Sequence, residues 1–420
     1  MIRRLLHVLA MLAALTCAAP AAAHLTPNSE VRLDFGRQIV TAEVIIPLGE
    51  LGYAMGGGPI APRAGPAPAA LGDYLRAHMS VRAPDGRPWT LTVRDARITT
   101  DEGAPDFRAD VDLRPPPGAP LRVFDLSYSA VIDTVRNHFA LVLVRTDYGG
   151  GQLSETPHLL GGLQWGARTL RVDRGPQSAW RGFTSAVALG MRHIAEGHDH
   201  LMFLMALLLP APLMARGRRW GEAGTLRFTL GRLAKVVTAF TIGHSLTLIG
   251  GAFLGWRLPA QPVEVLIAVS ILISAVHAAR PLFAGREPFG AAGFGLVHGL
   301  AFATVIGNFG LDAWEKAQSI LGFNLGIELV QLAVVAVVAP ALVLMARTRS
   351  YPAVRTTAAF FCAVAALAWI AERVLGADNL IARAIDAGLS HGLWLLGLLF
   401  LGTAVAVLAD RARKVSPPTG

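Results

Sequence analysis

The sequence contains little that could stabilise a soluble protein of its length through covalent or ionic links. Only two of the 420 residues are cysteine, Cys17 and Cys362, so no disulfide framework holds the fold together. Charged residues make up 16% of the chain, whereas about a quarter is usual for soluble proteins. Hydrophobic residues reach 53% and the mean hydropathy is +0.47, which excludes a disordered chain and indicates that much of the protein lies in lipid.

The sequence also lacks the Gly-x-x-x-x-Gly-Lys-Ser/Thr loop that binds nucleotide phosphates, so we expect no nucleotide cofactor. The formal net charge of +9 does not indicate nucleic acid as a partner, because the excess is confined to one part of the chain. Residues 24–178 carry 16 basic and 17 acidic side chains, whereas residues 179–420 carry 20 basic and 12 acidic ones. The position of membrane loops explains the second imbalance.

The first 23 residues are typical of a secretory signal peptide. Arg3 and Arg4 precede an apolar run from Leu5 to Leu15, and the small residues 21–23 form a cleavage site before His24. The apolar run is too short to span a bilayer. The sequence therefore predicts that the following domain is exported.

Residues 24–175 alternate apolar and polar side chains with a period close to two, which is typical of strands. Clusters of glycine and proline separate these segments, and helical periodicity is nearly confined to residues 69–78. We therefore expect a small antiparallel β-sandwich of about seven strands. The scattered residues His78, His138 and His158 are predicted to be ordinary surface histidines.

Residues 179–412 contain seven apolar runs that are long enough to cross a bilayer. They lie near 188–214, 229–252, 262–281, 290–309, 318–346, 355–375 and 389–410. If the first span starts on the exported side, the predicted cytoplasmic loops and tail (413–420) hold 14 basic residues and the exported loops four. The positive-inside rule thus predicts an inner-membrane protein of seven helices with a cytoplasmic C-terminus.

Several of these spans contain polar side chains that are costly in lipid and are therefore candidates for function. At the outer end of the first span, His193 and His200 are seven residues apart, and Glu196 lies on the same helical stripe. Gly197 could break the helix and bring Asp199 to the same place, as discontinuous helices do at ion sites.

Further polar residues occur at matching depth in other spans. His244 lies in the second span and His298 in the fourth, while Asn324, Glu328 and Gln331 share one face of the fifth. Imidazole nitrogens with a few oxygens and no thiolate suit a borderline divalent ion such as nickel, cobalt or zinc. The sequence thus predicts a shared intramembrane metal site.

Four motifs in order resemble those of the HupE/UreJ family of membrane proteins, over residues 180–410. They are His193-x-x-x-Gly197-x-Asp199-His200, Phe-x-x-Gly-His-Ser at 240–245, Gly-x-x-His-Gly at 295–299 and Phe-Asn-x-Gly-x-Glu-x-x-Gln at 323–331. The resemblance is strongest to long members with an exported domain. It implies a nickel or cobalt permease, or an accessory protein of a hydrogenase or urease maturation system. It also implies that His193, Asp199 and His200 contact the metal, with His244, His298 and Glu328 as further candidates.

The first motif departs from that of the better-studied nickel and cobalt transporters by one additional residue before Asp199, so the ion is left open between nickel, cobalt and zinc. Three other functions stay open at this point. One is an intramembrane zinc enzyme in which Glu196 is the base, although the His-Glu-x-x-His order is absent. The others are a haem protein ligated by His244 and His298, and a non-catalytic assembly factor.

Overall fold

The computed structural model describes residues 28–57, 68–100, 105–256 and 258–415. The predicted signal peptide (1–23) and residues 416–420 of the predicted tail lie outside the described residues. Residues 29–173 are rich in strands, and residues 179–415 are helical apart from one hairpin. The predicted class, a β domain followed by a helical membrane part, is confirmed.

Nine strands form two sheets in the first part of the described chain. The larger sheet has the order β4-β5-β2-β1-β7-β8 and the smaller sheet the order β3-β6-β9. The strands are β1 Ser29–Phe35, β2 Val40–Pro47, β3 Met79–Arg82, β4 Thr90–Thr99, β5 Asp106–Arg114, β6 Val123–Tyr128, β7 Ala140–Asp147, β8 Gln152–Leu163 and β9 Thr169–Asp173. Two short helices cover the sheets, α1 Leu48–Ala54 and α2 Pro68–His78, and α2 confirms the helix predicted for residues 69–78.

The two sheets pack face to face, as expected for a sandwich. In β5 every second side chain, from Phe107 to Leu113, is buried and the intervening residues face outward. From the smaller sheet, the Phe124 ring lies 6.1 Å from Phe35 and 4.8 Å from Trp89. Alternating apolar residues of both sheets thus form one core.

One strand pair contradicts the expected all-antiparallel arrangement. β1 and β7 are parallel, with Val31 opposite Val142. The chain reaches β7 from β6, which belongs to the other sheet, so it crosses between the sheets and enters beside β1 in the same direction. A parallel pair needs such a long connection, and local alternation of side chains does not reveal it.

The prediction that His138 is a surface residue was wrong. Its side chain is buried, Nε2 lies 2.7 Å from Ser29 Oγ, and Nδ1 lies 2.8 Å from Glu50 Oε2. Burial lowers the pKa of His138, and the hydrogen bond to Glu50 opposes this only in part. The ring therefore joins the start of β1 to α1 in its neutral form.

The second part of the chain consists of nine helices within the described residues. They are α3 Ala179–Glu196, α4 His198–Leu208, α5 Leu226–Leu254, α6 Ala260–Ala279, α7 Glu287–Asn308, α8 Ala313–Met345, α9 Tyr351–Leu375, α10 Leu380–Leu389 and α11 Gly392–Val415. A β-hairpin, β10 Leu213–Arg216 with β11 Arg219–Ala223, connects α4 to α5.

Five of the described helices are long and apolar enough to cross a membrane, namely α5, α6, α8, α9 and residues 394–413 of α11. The 22-residue helix α7 occupies the predicted fourth span, and the α3–α4 pair occupies the first. The chain is thus a membrane protein, and the count of seven spans stays a prediction.

The β domain is packed directly onto the start of α3 and α8. Tyr148 and Leu153 share a buried cluster with Ala186 and Phe323. Tyr148 Oη donates a hydrogen bond of 3.0 Å to Gln318, and Arg37 forms an ion pair of 2.5 Å with Asp312 at the start of α8. The same end of the helices therefore carries the β domain and the broken α3–α4 pair.

Two helix pairs are in backbone contact at glycines. In the α5–α7 pair, a Cβ on Gly243 would lie 2.1 Å from the Ala292 oxygen, and one on Gly295 would lie 2.1 Å from the Phe240 oxygen. In the α3–α8 pair, a Cβ on Gly190 would lie 2.0 Å from the Phe323 oxygen, and one on Gly326 would lie 2.1 Å from the Val187 oxygen. Small residues allow this approach, which membrane helices use in place of a hydrophobic driving force.

Replacement of Gly243 or Gly295 by alanine is expected to force α5 and α7 apart and to destabilise the full-length protein by roughly 1–3 kcal/mol, the usual cost of overpacking. Thermal unfolding in detergent measures the effect. Gly231→Ala in α5 and Gly293→Ala in α7 are matched controls, because nothing lies within 4 Å of a Cβ at either position. Equal melting temperatures for Gly243→Ala and Gly231→Ala would contradict the close contact.

Acidification is expected to destabilise the β domain through His138. The folded-state pKa of His138 lies below the unfolded value of about 6.5, so the unfolded chain binds the proton more readily. Stability is therefore full above about pH 6.5 and falls as the pH drops toward the folded-state pKa. Limited proteolysis of the full chain between pH 7.5 and 5 measures this, with His138→Gln expected to flatten the response. An unchanged pH profile in that variant would show that another group is responsible.

Candidate metal centre

The candidate metal centre lies at a break in the first membrane helix. α3 ends at Glu196 and α4 begins at His198, with Gly197 between them in a non-helical conformation (φ −77°, ψ 95°). A Cβ on Gly197 would lie 2.6 Å from the His193 oxygen and 2.8 Å from His200 Nδ1, so glycine is required here. The break predicted at Gly197 is confirmed.

The break brings His193 and His200 together. In a continuous helix, residues seven apart are separated by about 10.5 Å along the axis. Here the two ring centroids are 4.7 Å apart. The two imidazoles thus meet across the break at Gly197.

His244 of α5 completes a three-histidine cluster. One ring nitrogen from each of His193, His200 and His244 lies within 4.8 Å of the others. In a tetrahedral site with metal–nitrogen bonds of about 2.0–2.1 Å, the ligand nitrogens lie about 3.3–3.4 Å apart, so the three nitrogens would share one ion after approaching one another by up to about 1.5 Å. The three residues come from two separate regions of the chain, as a site assembled by folding requires.

The hydrogen bonds behind these rings orient their lone pairs toward the cluster. His200 Nδ1 lies 2.9 Å from the Asp199 carboxylate, which only accepts, so Nδ1 carries the proton and Nε2 is free to bind a metal. His244 Nδ1 lies 3.3 Å from Asn324 Oδ1, and the Asn324 amide nitrogen donates to the Ile320 oxygen. The amide oxygen therefore faces His244 and fixes the same tautomer. Such outer hydrogen bonds are usual around metal-binding histidines.

His298 of α7 lies beside the cluster as the opposite tautomer, with its proton on Nε2. Ser270 of α6 donates to the Ile267 oxygen, so its Oγ accepts the Nε2 proton of His298 at 3.0 Å. The His298 ring centroid lies 4.8 Å from that of His200. Its Nδ1 has no partner in the described structure, and the same holds for Nε2 of His193, His200 and His244. Four buried ring nitrogens without partners indicate a place for a cation, because such atoms are otherwise costly to bury.

Aromatic rings also surround the cluster. The rings of Phe302 and Phe323 lie 4.7 and 5.3 Å from His193, and Phe240 lies 5.2 Å from His298. His244 and His298 are completely buried among them. The surroundings exclude water and strengthen any interaction between a cation and the nitrogens.

A cavity of about 430 Å³ leads to the cluster from the side of the β domain. His193, Asp199 and His200 line its inner end, and the exposed residues Arg192 and Glu196 line its mouth. Thr156 of β8 also borders the cavity, so the β domain contributes to the entrance. A hydrated ion therefore has a route to His193 and His200, and His244 lies buried behind them.

The remaining predicted site residues occupy different positions. Asn324 orients His244 from behind, and Glu196 stands at the cavity mouth, so both belong to the surroundings of the cluster. Glu328 accepts a hydrogen bond of 2.9 Å from Thr238, about one and a half turns from His244 along α5, and is not among the clustered groups. Gln331 is buried with Oε1 unpartnered, further along α8.

Sequence reasoning missed the contribution of Ser270 and the aromatic enclosure. Ser270 lies in the apolar helix α6 with Ser274 one turn away, and the rule that selected the histidines would have selected it too. The structure also disfavours haem between His244 and His298. The α5 and α7 backbones are in contact at Gly243 and Gly295, which leaves no room for a porphyrin between the two helices.

Residues 169–373 match the family described as HupE / UreJ protein. These residues form a HupE/UreJ domain. The match covers α3 to α9 and every predicted metal-site residue, and it confirms the resemblance seen in the sequence, although it ends before α10 and α11. No curated protein and no solved structure matches the chain. In the HupE/UreJ domain, the four motifs thus coincide with the helix break, with the α5–α7 contact and with α8.

Replacement of Asp199 by asparagine is expected to weaken metal binding about 10–100-fold, the usual effect of losing a carboxylate behind a metal-binding histidine. Titration of the purified protein with cobalt(II), followed by its visible absorbance, measures the affinity. Asp386→Asn is the matched control, because Asp386 lies 3.1 Å from His198 Nδ1 instead of a cluster histidine. Equal affinities for the two variants would remove Asp199 from the centre.

Proposed function

We propose that this protein is a membrane permease for a divalent transition metal, with nickel or cobalt favoured, and that His193, His200 and His244 bind the ion in transit. The main support for this proposal is the group of buried imidazole nitrogens that lack hydrogen-bond partners at the end of a cavity within the membrane helices. A permanent structural metal site is normally closed, whereas this one has a route for an ion to enter. Membership of residues 169–373 in the HupE/UreJ family supports a metal transport or accessory role.

The donor set supports the choice of ion. Three imidazole nitrogens suit nickel, cobalt or zinc, whereas calcium needs more oxygens and copper(I) needs sulfur ligands. The nearest carboxylate, Asp199, is engaged with His200 and adjusts the basicity of that ring.

The proposed orientation places the β domain outside the cytoplasmic membrane and the C-terminus inside. The cavity to the histidines then opens to the exported side, next to Thr156 of the β domain. At the opposite end, Arg232 of α5 forms an ion pair with Glu287 and donates to the Leu213 oxygen at 2.9 Å. This arrangement supports an outward-open state whose cytoplasmic end is held shut by charged contacts.

The β domain serves in this proposal as a rigid entrance and not as an enzyme. It is tied to α8 by Arg37 and Tyr148, and its described surface lines the cavity mouth through β8. Metal that reaches the cytoplasm would serve a metalloenzyme maturation system.

Uptake by proteoliposomes tests the proposal. Vesicles with the wild-type protein are offered nickel, cobalt, zinc, manganese and copper separately, and internal metal is counted. We expect saturable uptake of one or two ions and its loss in His193→Ala/His200→Ala. His391→Ala is the control, because His391 is exposed after α10 and lies outside the cluster.

Other outcomes separate the alternatives. Tight binding without flux would replace the permease by a metal-holding accessory protein, and metal-dependent hydrolysis that needs Glu196 would replace it by an intramembrane enzyme. Neither binding nor flux would show that the histidines only pack the helices.

A further inference from the structure

A second cavity, of about 650 Å³, lies at the opposite end of the helices from the metal centre. Its walls come from the β10 strand, from the first turns of α5, and from the start of α7. In the proposed orientation, this end lies at the cytoplasmic surface of the bilayer. The cavity is therefore at the level of lipid headgroups.

Three residues on one face of α5 shape the cavity. Arg227, Gly231 and Lys235 are spaced by four residues, so they form a single stripe along the helix. Nothing lies within 4 Å of a Cβ placed on Gly231. The glycine thus leaves an open groove between two cationic side chains that are about 12 Å apart along the helix axis.

The positive charge of this stripe is not neutralised within the described structure. Arg232, which also borders the cavity, is occupied by the ion pair with Glu287, the acidic member of the lining. Arg227 and Lys235 are exposed, and neither makes an ion pair or a side-chain hydrogen bond among the described residues. The groove therefore presents two free cations and suits an anion.

The rest of the lining is apolar and partly faces outward. Leu213 and Pro288 form walls, and the side chains of Met214 and Phe228 are each 43% exposed. A freely dissolved anion would gain little from these surfaces. A molecule with a phosphate at one end and hydrocarbon at the other would use both the cations and the apolar walls.

We propose that this cavity binds the headgroup of an anionic phospholipid, with its phosphate between Arg227 and Lys235 over Gly231. Basic pockets between membrane helices on the cytoplasmic side bind such headgroups. A bound lipid would bridge the β10–β11 hairpin, α5 and α7, which are the same elements that Arg232 and Glu287 connect. The lipid would therefore stabilise this end of the helices.

The test uses the full chain, purified in detergent and stripped of lipid. Phosphatidylglycerol and phosphatidylcholine are added separately, bound lipids are counted by native mass spectrometry, and the melting temperature is measured. We expect phosphatidylglycerol to bind and to raise the melting temperature more than phosphatidylcholine does. Equal effects of the two lipids would overturn the proposal.

Two variants locate the effect. Arg227→Gln/Lys235→Gln removes both cations, and we expect phosphatidylglycerol binding to fall on the order of tenfold or more, since each basic residue near a membrane surface contributes measurably. Gly231→Leu keeps both charges and fills the groove, and we expect it to lose the bound lipid as well. Unchanged binding in Gly231→Leu would show that the surface attracts lipid only by its general charge and would overturn the site.

The matched control is Arg347→Gln/Arg349→Gln, which removes two exposed arginines after α8, outside the cavity. We expect it to bind phosphatidylglycerol like the wild type, and an equal loss of binding in this control would also overturn the proposal.

Inorganic phosphate and glycerol 1-phosphate are tested separately as free anions without hydrocarbon chains. If either raises the melting temperature as much as phosphatidylglycerol does, the cavity binds a free anion and the lipid assignment is wrong. These measurements need no transport, so their failure leaves the permease proposal untouched.

Discussion

Backbone contact between membrane helices at glycines is the constraint on which the rest of the HupE/UreJ domain depends. Each contact glycine is one to three residues from a side chain of the metal centre: Gly190 from His193, Gly243 from His244, Gly295 from His298 and Gly326 from Asn324. The depth and rotation at which the helices meet thus set the positions of the imidazoles. A displacement of about one ångström at these contacts is similar in size to the shortening of the nitrogen–nitrogen distances that would let the three histidines share one ion.

Without a bound metal, the candidate centre destabilises the fold, and the packing around it must offset this free energy. Buried polar atoms without partners are unfavourable, and Phe302 and Phe323 exclude the water that would otherwise hydrate them. The histidine rings could avoid this cost by rotating and forming hydrogen bonds with one another. Hydrogen bonds to Asp199, Asn324 and Ser270 hold the rings in place and prevent this rotation. A divalent cation relieves the cost by accepting several lone pairs at once, so the same features that make the empty cluster unfavourable favour metal binding.

Much of this arrangement followed from the sequence, and the failures have a common cause. The sequence directly indicated the polar residues within apolar runs, their matching depth and the break at Gly197. Polar side chains are costly in lipid, so those that occur there usually have a function. The rotation of each helix about its own axis could not be predicted from the sequence. Helices α5, α6 and α8 have no apolar stripe that would indicate which face packs against a neighbour. Asn324 and Glu328 share a helical face in the sequence, yet one reaches His244 and the other reaches Thr238. In the β domain, the burial of His138 and the parallel β1–β7 pair depend on a long crossover that local alternation does not encode.

In the proposed permease, the two ends of the helices would be linked through α4, α5 and α7. His200, His244 and His298 lie 10 to 13 residues along the chain from the contacts at the other end. There, Pro210 and Leu213 accept hydrogen bonds from Arg232, and Arg232 pairs with Glu287. Because α5 and α7 are in backbone contact at Gly243 and Gly295, they resist separation and would move as one body. Helix α4 is separated from α3 at Gly197 and joined to α5 by a hairpin, and most of its residues are buried against the other helices. Movement of α4 against the α5–α7 pair would both separate His200 from His244 and break the contacts of Arg232, so loss of the ion and opening of the far end would occur together.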